Sequence, residues 1–118
     1  MLQKLDLADA AVSYDPAFLP RKEADQLLDV LTDELAWEQK FITMFGKQLL
    51  QPRLVAWYGD TGISYTYSGL TLAAIPWTNA LQALKNKLED TLEVSFNSVL
   101  CNLYRAGKDS MGWHADDE

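Results

Sequence analysis

His114-Ala115-Asp116 sets an imidazole and a carboxylate two residues apart. In an extended strand, positions i and i+2 point to the same face, so both side chains can converge on one cation. They make two legs of the 2-His-1-carboxylate set, whose open positions on non-haem Fe(II) can take a co-substrate and dioxygen. A three-residue pattern is also common by chance, and its plainer reading is a surface histidine beside the solvated acidic run Asp116-Asp117-Glu118. His114 is the only histidine in the 118 residues, so they contain no complete His-based metal site.

Asn102 and Tyr104 are a second pair on one strand face, an amide and a phenol turned toward the interior of a sheet. Buried polar groups need partners, which a carboxylate-bearing co-substrate could supply; backbone or water at a strand edge would serve as well. Tyr65 and Tyr67, with Thr66 between them and Ser68 after, give alternating aromatics that form a stacking platform or simply an ordinary strand. If Asp116 faces a metal, Asp117 and Glu118 occupy other faces at the pocket rim, where a carboxylate favours a cationic or amine-bearing substrate.

Two helices and a set of strands must position these groups. Ala24, Leu27, Leu28, Leu31 and Leu35 recur at helical spacing after Pro20. A second helix is expected to open at Pro76 and bury Trp77, Leu81, Leu84 and Leu88. Strand character fills the rest: Phe41 to Leu50 around a hairpin tip at Phe45-Gly46-Lys47, Arg53 to Tyr58, Ile63 to Ser68, Val94 to Arg105, and Met111 to Asp116. In the fourth of these, Phe96, Ser98, Leu100, Asn102 and Tyr104 share one face, and Asn97, Val99, Cys101 and Leu103 the other. Ala106-Gly107-Lys108-Asp109 turns the chain, and about five strands are expected in all.

A length of 118 residues with 48% hydrophobic and 23% charged residues fits one globular domain and excludes disordered and collagen-like classes. One cysteine excludes an intramolecular disulfide framework. The sequence has no long apolar run, and its N-terminus is acidic, so neither a membrane span nor a secretory leader is expected and a reducing cytoplasm is the default. The net charge of -7 opposes nucleic-acid binding, but it is unevenly spread. Residues 39–108 carry 7 basic and 4 acidic side chains, whereas residues 1–38 carry 3 basic and 9 acidic. A weak phosphate-facing surface therefore remains open.

Taken in order, these residues resemble the AlkB-type Fe(II)/2-oxoglutarate dioxygenases, nearest the oxidative nucleic-acid demethylases. The resemblance rests on Met44-Phe45-Gly46-Lys47, Pro52-Arg53, Trp57-Tyr58-Gly59-Asp60, Tyr65-Thr66-Tyr67-Ser68-Gly69-Leu70-Thr71-Leu72, Pro76-Trp77, Phe96-Asn97, Asn102-Leu103-Tyr104 and Gly112-Trp113-His114-Ala115-Asp116-Asp117-Glu118. It implies that His114 and Asp116 ligate Fe(II) and that Asn102 and Tyr104 contact 2-oxoglutarate, with O2 as the other co-substrate. It further implies that Tyr65, Thr66, Tyr67 and Ser68 wall a flipped base, that Asp117 and Glu118 meet its edge, and that Phe45, Gly46 and Lys47 form a finger probing the duplex.

The implied fold is α+β, an incomplete double-stranded β-helix of jelly-roll type with N-terminal helices packed on the sheet. The family's second iron histidine and its 2-oxoglutarate arginines fall beyond Glu118. Residues 1–118 are therefore expected to be the N-terminal part of one domain, truncated after the HxD motif and catalytically incomplete alone. The expected activity is oxidative demethylation of N-alkylated bases in DNA, or RNA, by a protein that is monomeric at full length. The alternatives are a non-enzymatic module binding nucleic acid or protein, and an oxygenase acting on a protein or small molecule.

Overall fold

The computed structural model describes residues 1–67 and 70–113; for 44, 65, 67 and 70–72 it describes the backbone alone. The described chain is α+β and forms two units, Met1–Glu34 and Leu35–Glu118.

In the first unit, β1 (Gln3–Lys4) pairs antiparallel with β2 (Ser13–Tyr14), and α1 spans Arg21–Glu34. The Asp15 carboxylate accepts from the N-terminal ammonium at 3.0 Å and from Ala17 N–H at 2.9 Å, which ties the start of the chain to the loop before α1. The apolar spacing read from the sequence does form this helix, but Leu28 lies exposed and Leu35 falls just past its end.

The second unit is built on β5 (Leu54–Gly59). An antiparallel hairpin of β3 (Phe41–Met44) and β4 (Lys47–Leu50) precedes it, and a second hairpin, β6 (Ser64–Tyr67) with β7 (Leu70–Ala73), follows. β8 (Ile75–Pro76) runs parallel to β5 on one edge, and β9 (Ser98–Leu103) runs antiparallel on the other, so the central order is β8-β5-β9. Between β8 and β9 lies α2 (Asn79–Leu92).

The register Ala56↔Cys101 and Tyr58↔Val99 puts small and apolar residues on one face of the β5-β9 pair. Val99 lines an apolar cleft with Trp77, Leu81, Leu84 and Leu88 of the α2 region, the spacing expected of a helix burying one stripe. Ala56, Tyr58, Leu81 and Leu35 are the buried hydrophobic residues of this unit. Gly59 is required where it stands, because a Cβ there would lie 2.8 Å from the Asn97 carbonyl and 2.9 Å from Ser98 Cβ.

Three expectations need correction. The second helix starts at Asn79, not Pro76: Pro76 belongs to β8, and Thr78 caps the helix by accepting from Leu81 N–H. Nine short strands occur among the described residues, more than the five expected, because β1, β2, β7 and β8 are brief pairings with little alternation to reveal them. Met111–Trp113 is not a strand, and the remainder of that expected strand lies outside the described residues. Among the described residues the strands form small separate sheets without jelly-roll closure.

Candidate functional site

Val55 pairs with Asn102 across β5 and β9, so both belong to the face opposite Ala56 and Cys101. Arg53 lies in the bend just before β5 and Tyr104 just after β9, so both flank the end of the strand pair at which Asn102 lies. Asn102 Oδ1 and Arg53 Nε are both buried and have no hydrogen-bond partner among the described residues. The Arg53 Nη1 group donates to the Ser110 carbonyl at 3.3 Å. Tyr104 is about half exposed.

Nearby in sequence, Gln51 is buried, with its Oε1 also unpartnered. Its backbone is satisfied: the amide donates to Lys40 O at 2.8 Å, and the carbonyl accepts from Gln39 Nε2 at 3.0 Å. Buried polar atoms without partners are uncommon and call for an explanation. A carboxylate-bearing molecule can accept from the Arg53 Nε–H and the Tyr104 hydroxyl, whereas Asn102 Oδ1 is an acceptor and would meet a carboxylate only with the amide turned so that its NH2 group takes that place. The two ends of an Asn amide are interchangeable in such an assignment. The donor set therefore fits 2-oxoglutarate.

The β3-β4 hairpin turns on two residues, Phe45 and Gly46, with φ of 53° and 75°. Two consecutive positive φ values mark the tight turn that matches strand twist. Gly46 adopts this region freely, whereas a phenylalanine there carries strain of order 1 kcal/mol. Phe45 is 97% exposed, so the strain is not offset by burial of its ring. Lys47, expected at the tip, is the first residue of β4 and is exposed.

Thr66 is exposed at the centre of β6 opposite Thr71, with Tyr65 and Tyr67 on either side of it along the strand. Ser68 lies outside the described residues, as do His114, Asp116, Asp117 and Glu118. No group of three metal-binding side chains occurs among the described residues.

Past β9 the chain makes a closed turn. The Asp109 carboxylate accepts from the Arg105 backbone N–H at 2.8 Å and from its Nε and Nη2 at 2.8 and 3.0 Å. These bonds hold the Asp109 carboxyl below the usual carboxylate range and raise the Arg105 value. Asp109 N–H donates in turn to Ala106 O at 3.0 Å. Sequence reading found the turn but neither its carboxylate clamp nor a role for Arg53. Arg53 is set apart by its buried, unpartnered Nε, which only the folded structure shows.

A family model described as the 2OG-Fe(II) oxygenase superfamily matches residues 11–118. Among curated proteins the chain is 45% identical over 104 residues to alpha-ketoglutarate-dependent dioxygenase alkB homolog 3 of Homo sapiens, covering 87% of this chain and 36% of that protein. To the DNA oxidative demethylase ALKBH2 of Bos taurus it is 39% identical over 101 residues, covering 83% and 36%. To the Arabidopsis thaliana ALKBH2 it is 33% identical over 110 residues, covering 89% and 35%. The chain belongs to the 2OG-Fe(II) oxygenase superfamily, and its relatives make it AlkB-type. It spans about a third of the length of these relatives.

Proposed function

We propose that the protein carrying these residues is an Fe(II)- and 2-oxoglutarate-dependent dioxygenase that oxidatively demethylates N-alkylated bases in nucleic acid, DNA first and RNA second. The observation that supports this reading is that Arg53 Nε and Asn102 Oδ1, at the same end of the β5-β9 pair, are buried and without a partner among the described residues. In this reading Asn102 and Tyr104 orient 2-oxoglutarate by donating to it, and Arg53, just before β5, adds a cationic donor. His114 and Asp116 would hold Fe(II), with the third protein ligand supplied outside the 118 residues, which contain a single histidine.

Bound Fe(II), with 2-oxoglutarate and O2, supplies the oxidising power that hydroxylates an N-methyl group, which then leaves as formaldehyde. The protein's part is to present the base. Phe45, exposed at the hairpin tip, would fill the gap a flipped base leaves, with Gly46 and Lys47 beside it. Tyr65, Thr66, Tyr67 and Ser68 would wall the base. Asp117 and Glu118 would favour the positive charge that methylation puts on 1-methyladenine or 3-methylcytosine. We further propose that the full-length protein is a cytoplasmic monomer without membrane attachment; among the described residues no helix is long and apolar enough to cross a bilayer.

The test is turnover by the full-length protein of oligonucleotides with and without 1-methyladenine, in the presence of Fe(II) and 2-oxoglutarate. Formaldehyde released only from the methylated strand is expected. Succinate formation that is indifferent to methylated nucleic acid but stimulated by a protein or small molecule would replace this reading with another oxygenase activity.

A further inference from the structure

The turn after β9 is held more firmly than a surface turn needs. Asp109 closes it with three hydrogen bonds, one to the Arg105 backbone and two to its guanidinium, and the Asp109 side chain is only 9% exposed. The next residue is fixed from both sides: Ser110 N–H donates to Pro52 O at 2.8 Å, and Ser110 O accepts from Arg53 Nη1 at 3.3 Å. Pro52 and Arg53 lead directly into β5, and Arg105 leaves β9. The two bonded ends of the turn are thus fastened to the central strand pair. Beyond Ser110 no strand pairing holds Met111–Trp113, and Trp113 is fully exposed.

We propose that Asp109 is a positioning residue: with Arg105 it fixes the point from which the chain departs toward His114 and Asp116, and so restricts where those ligands can reach. The inference rests on the metal-binding reading above. Its physical basis is entropic. A ligand-bearing segment hung from a mobile turn must be ordered when metal binds, whereas one hung from a clamped turn has lost that freedom on folding. The carboxylate suits the task because it accepts from a backbone N–H and a guanidinium fork together, a geometry lysine cannot reproduce at position 105.

The test uses full-length protein as wild type, D109A, D109N and R105K. Co(II) is titrated anaerobically by its visible absorption, and amide hydrogen exchange is measured on the metal-free proteins. D109A is expected to weaken Co(II) binding by about tenfold or more. D109N, which keeps an acceptor for the Arg105 N–H, should lose less. The Arg105 and Ser110 amides should lose protection in D109A while those of β5 keep theirs.

Equal Co(II) affinity in wild type and D109A overturns the proposal and leaves the metal-binding reading standing. Loss of β5 protection in both D109A and the milder R105K also overturns it, making the clamp a general support of the fold. A wild type that takes up no Co(II) removes the metal-binding reading, and the positioning role with it.

Discussion

At the residue level, two side chains of the central strand pair show how single groups serve the packed face. Tyr58 is 3% exposed, and its hydroxyl accepts from the Ala36 backbone N–H at 2.8 Å. Tyr58→Phe removes the acceptor but keeps the ring, leaving a part-buried N–H unpaired, so chemical denaturation should show a loss of about 1 to 2 kcal/mol. No change in the midpoint would mean that water replaces the hydroxyl. Cys101, paired with Ala56 on the same face, is half-buried, and burial pushes its thiol pKa up. Burial disfavours the thiolate, so the folded value exceeds the unfolded one. The resulting stability is fully present below the ordinary thiol pKa and is lost as pH rises through that value toward the raised one. As pH rises past the ordinary thiol pKa of about 8.5, the wild type should lose more stability than Cys101→Ala, a difference in slope that the mutation's own packing cost does not create. Parallel pH profiles for the two proteins would contradict it.

Among the elements, α2 depends on its entry. Thr78 has extended backbone and accepts from Leu81 N–H at 3.1 Å, so Thr78→Ala should cost about 1 kcal/mol, measured as a lower denaturation midpoint with little change in its slope. The same place shows what sequence can and cannot reveal. The stripe Trp77, Leu81, Leu84 and Leu88 was legible because apolar spacing survives any context, and these residues line the α2 cleft. The helix start was not, since proline suits a first turn but here joins β8, a pairing decided by its neighbour β5. Alternation along Ser98–Leu103 correctly placed Asn102 and Cys101 on opposite faces, because a period of two is local. Arg53 stands in the resemblance motif Pro52-Arg53 but has no role in the site as read from sequence, because the burial of its unpartnered Nε is a property of the folded chain. The carboxylate clamp at Asp109 was hidden for a related reason: Asp in a turn is ordinary, and only its three bonds to Arg105 set it apart.

For the molecule as a whole, charge decides how the hairpin can engage nucleic acid. The net charge of -7 repels a phosphate chain, and much of the cationic middle is locally neutralised: Lys40 pairs with Glu38, Lys85 with Glu89 and Arg105 with Asp109. Long-range attraction would therefore be weak, and the nucleic-acid binding proposed above would have to come from short-range contacts at the exposed tip. Phe45 stands 97% exposed with its backbone already turned, and Lys47 follows two residues later. The two side chains should act through separable terms, stacking being insensitive to salt and phosphate contact governed by counterion release. In fluorescence anisotropy with single-stranded DNA across a salt series, Phe45→Ala should weaken binding by about 1 to 3 kcal/mol at every salt concentration with an unchanged slope. Lys47→Ala should make the slope of log affinity against log salt shallower by about 0.7, the value for one phosphate contact on a single strand. Neither substitution should move the melting temperature appreciably, since both side chains are solvent-exposed. An unchanged slope in Lys47→Ala would show that the phosphates are met by basic residues outside the hairpin, and a slope changed in Phe45→Ala would contradict the separation of the two terms.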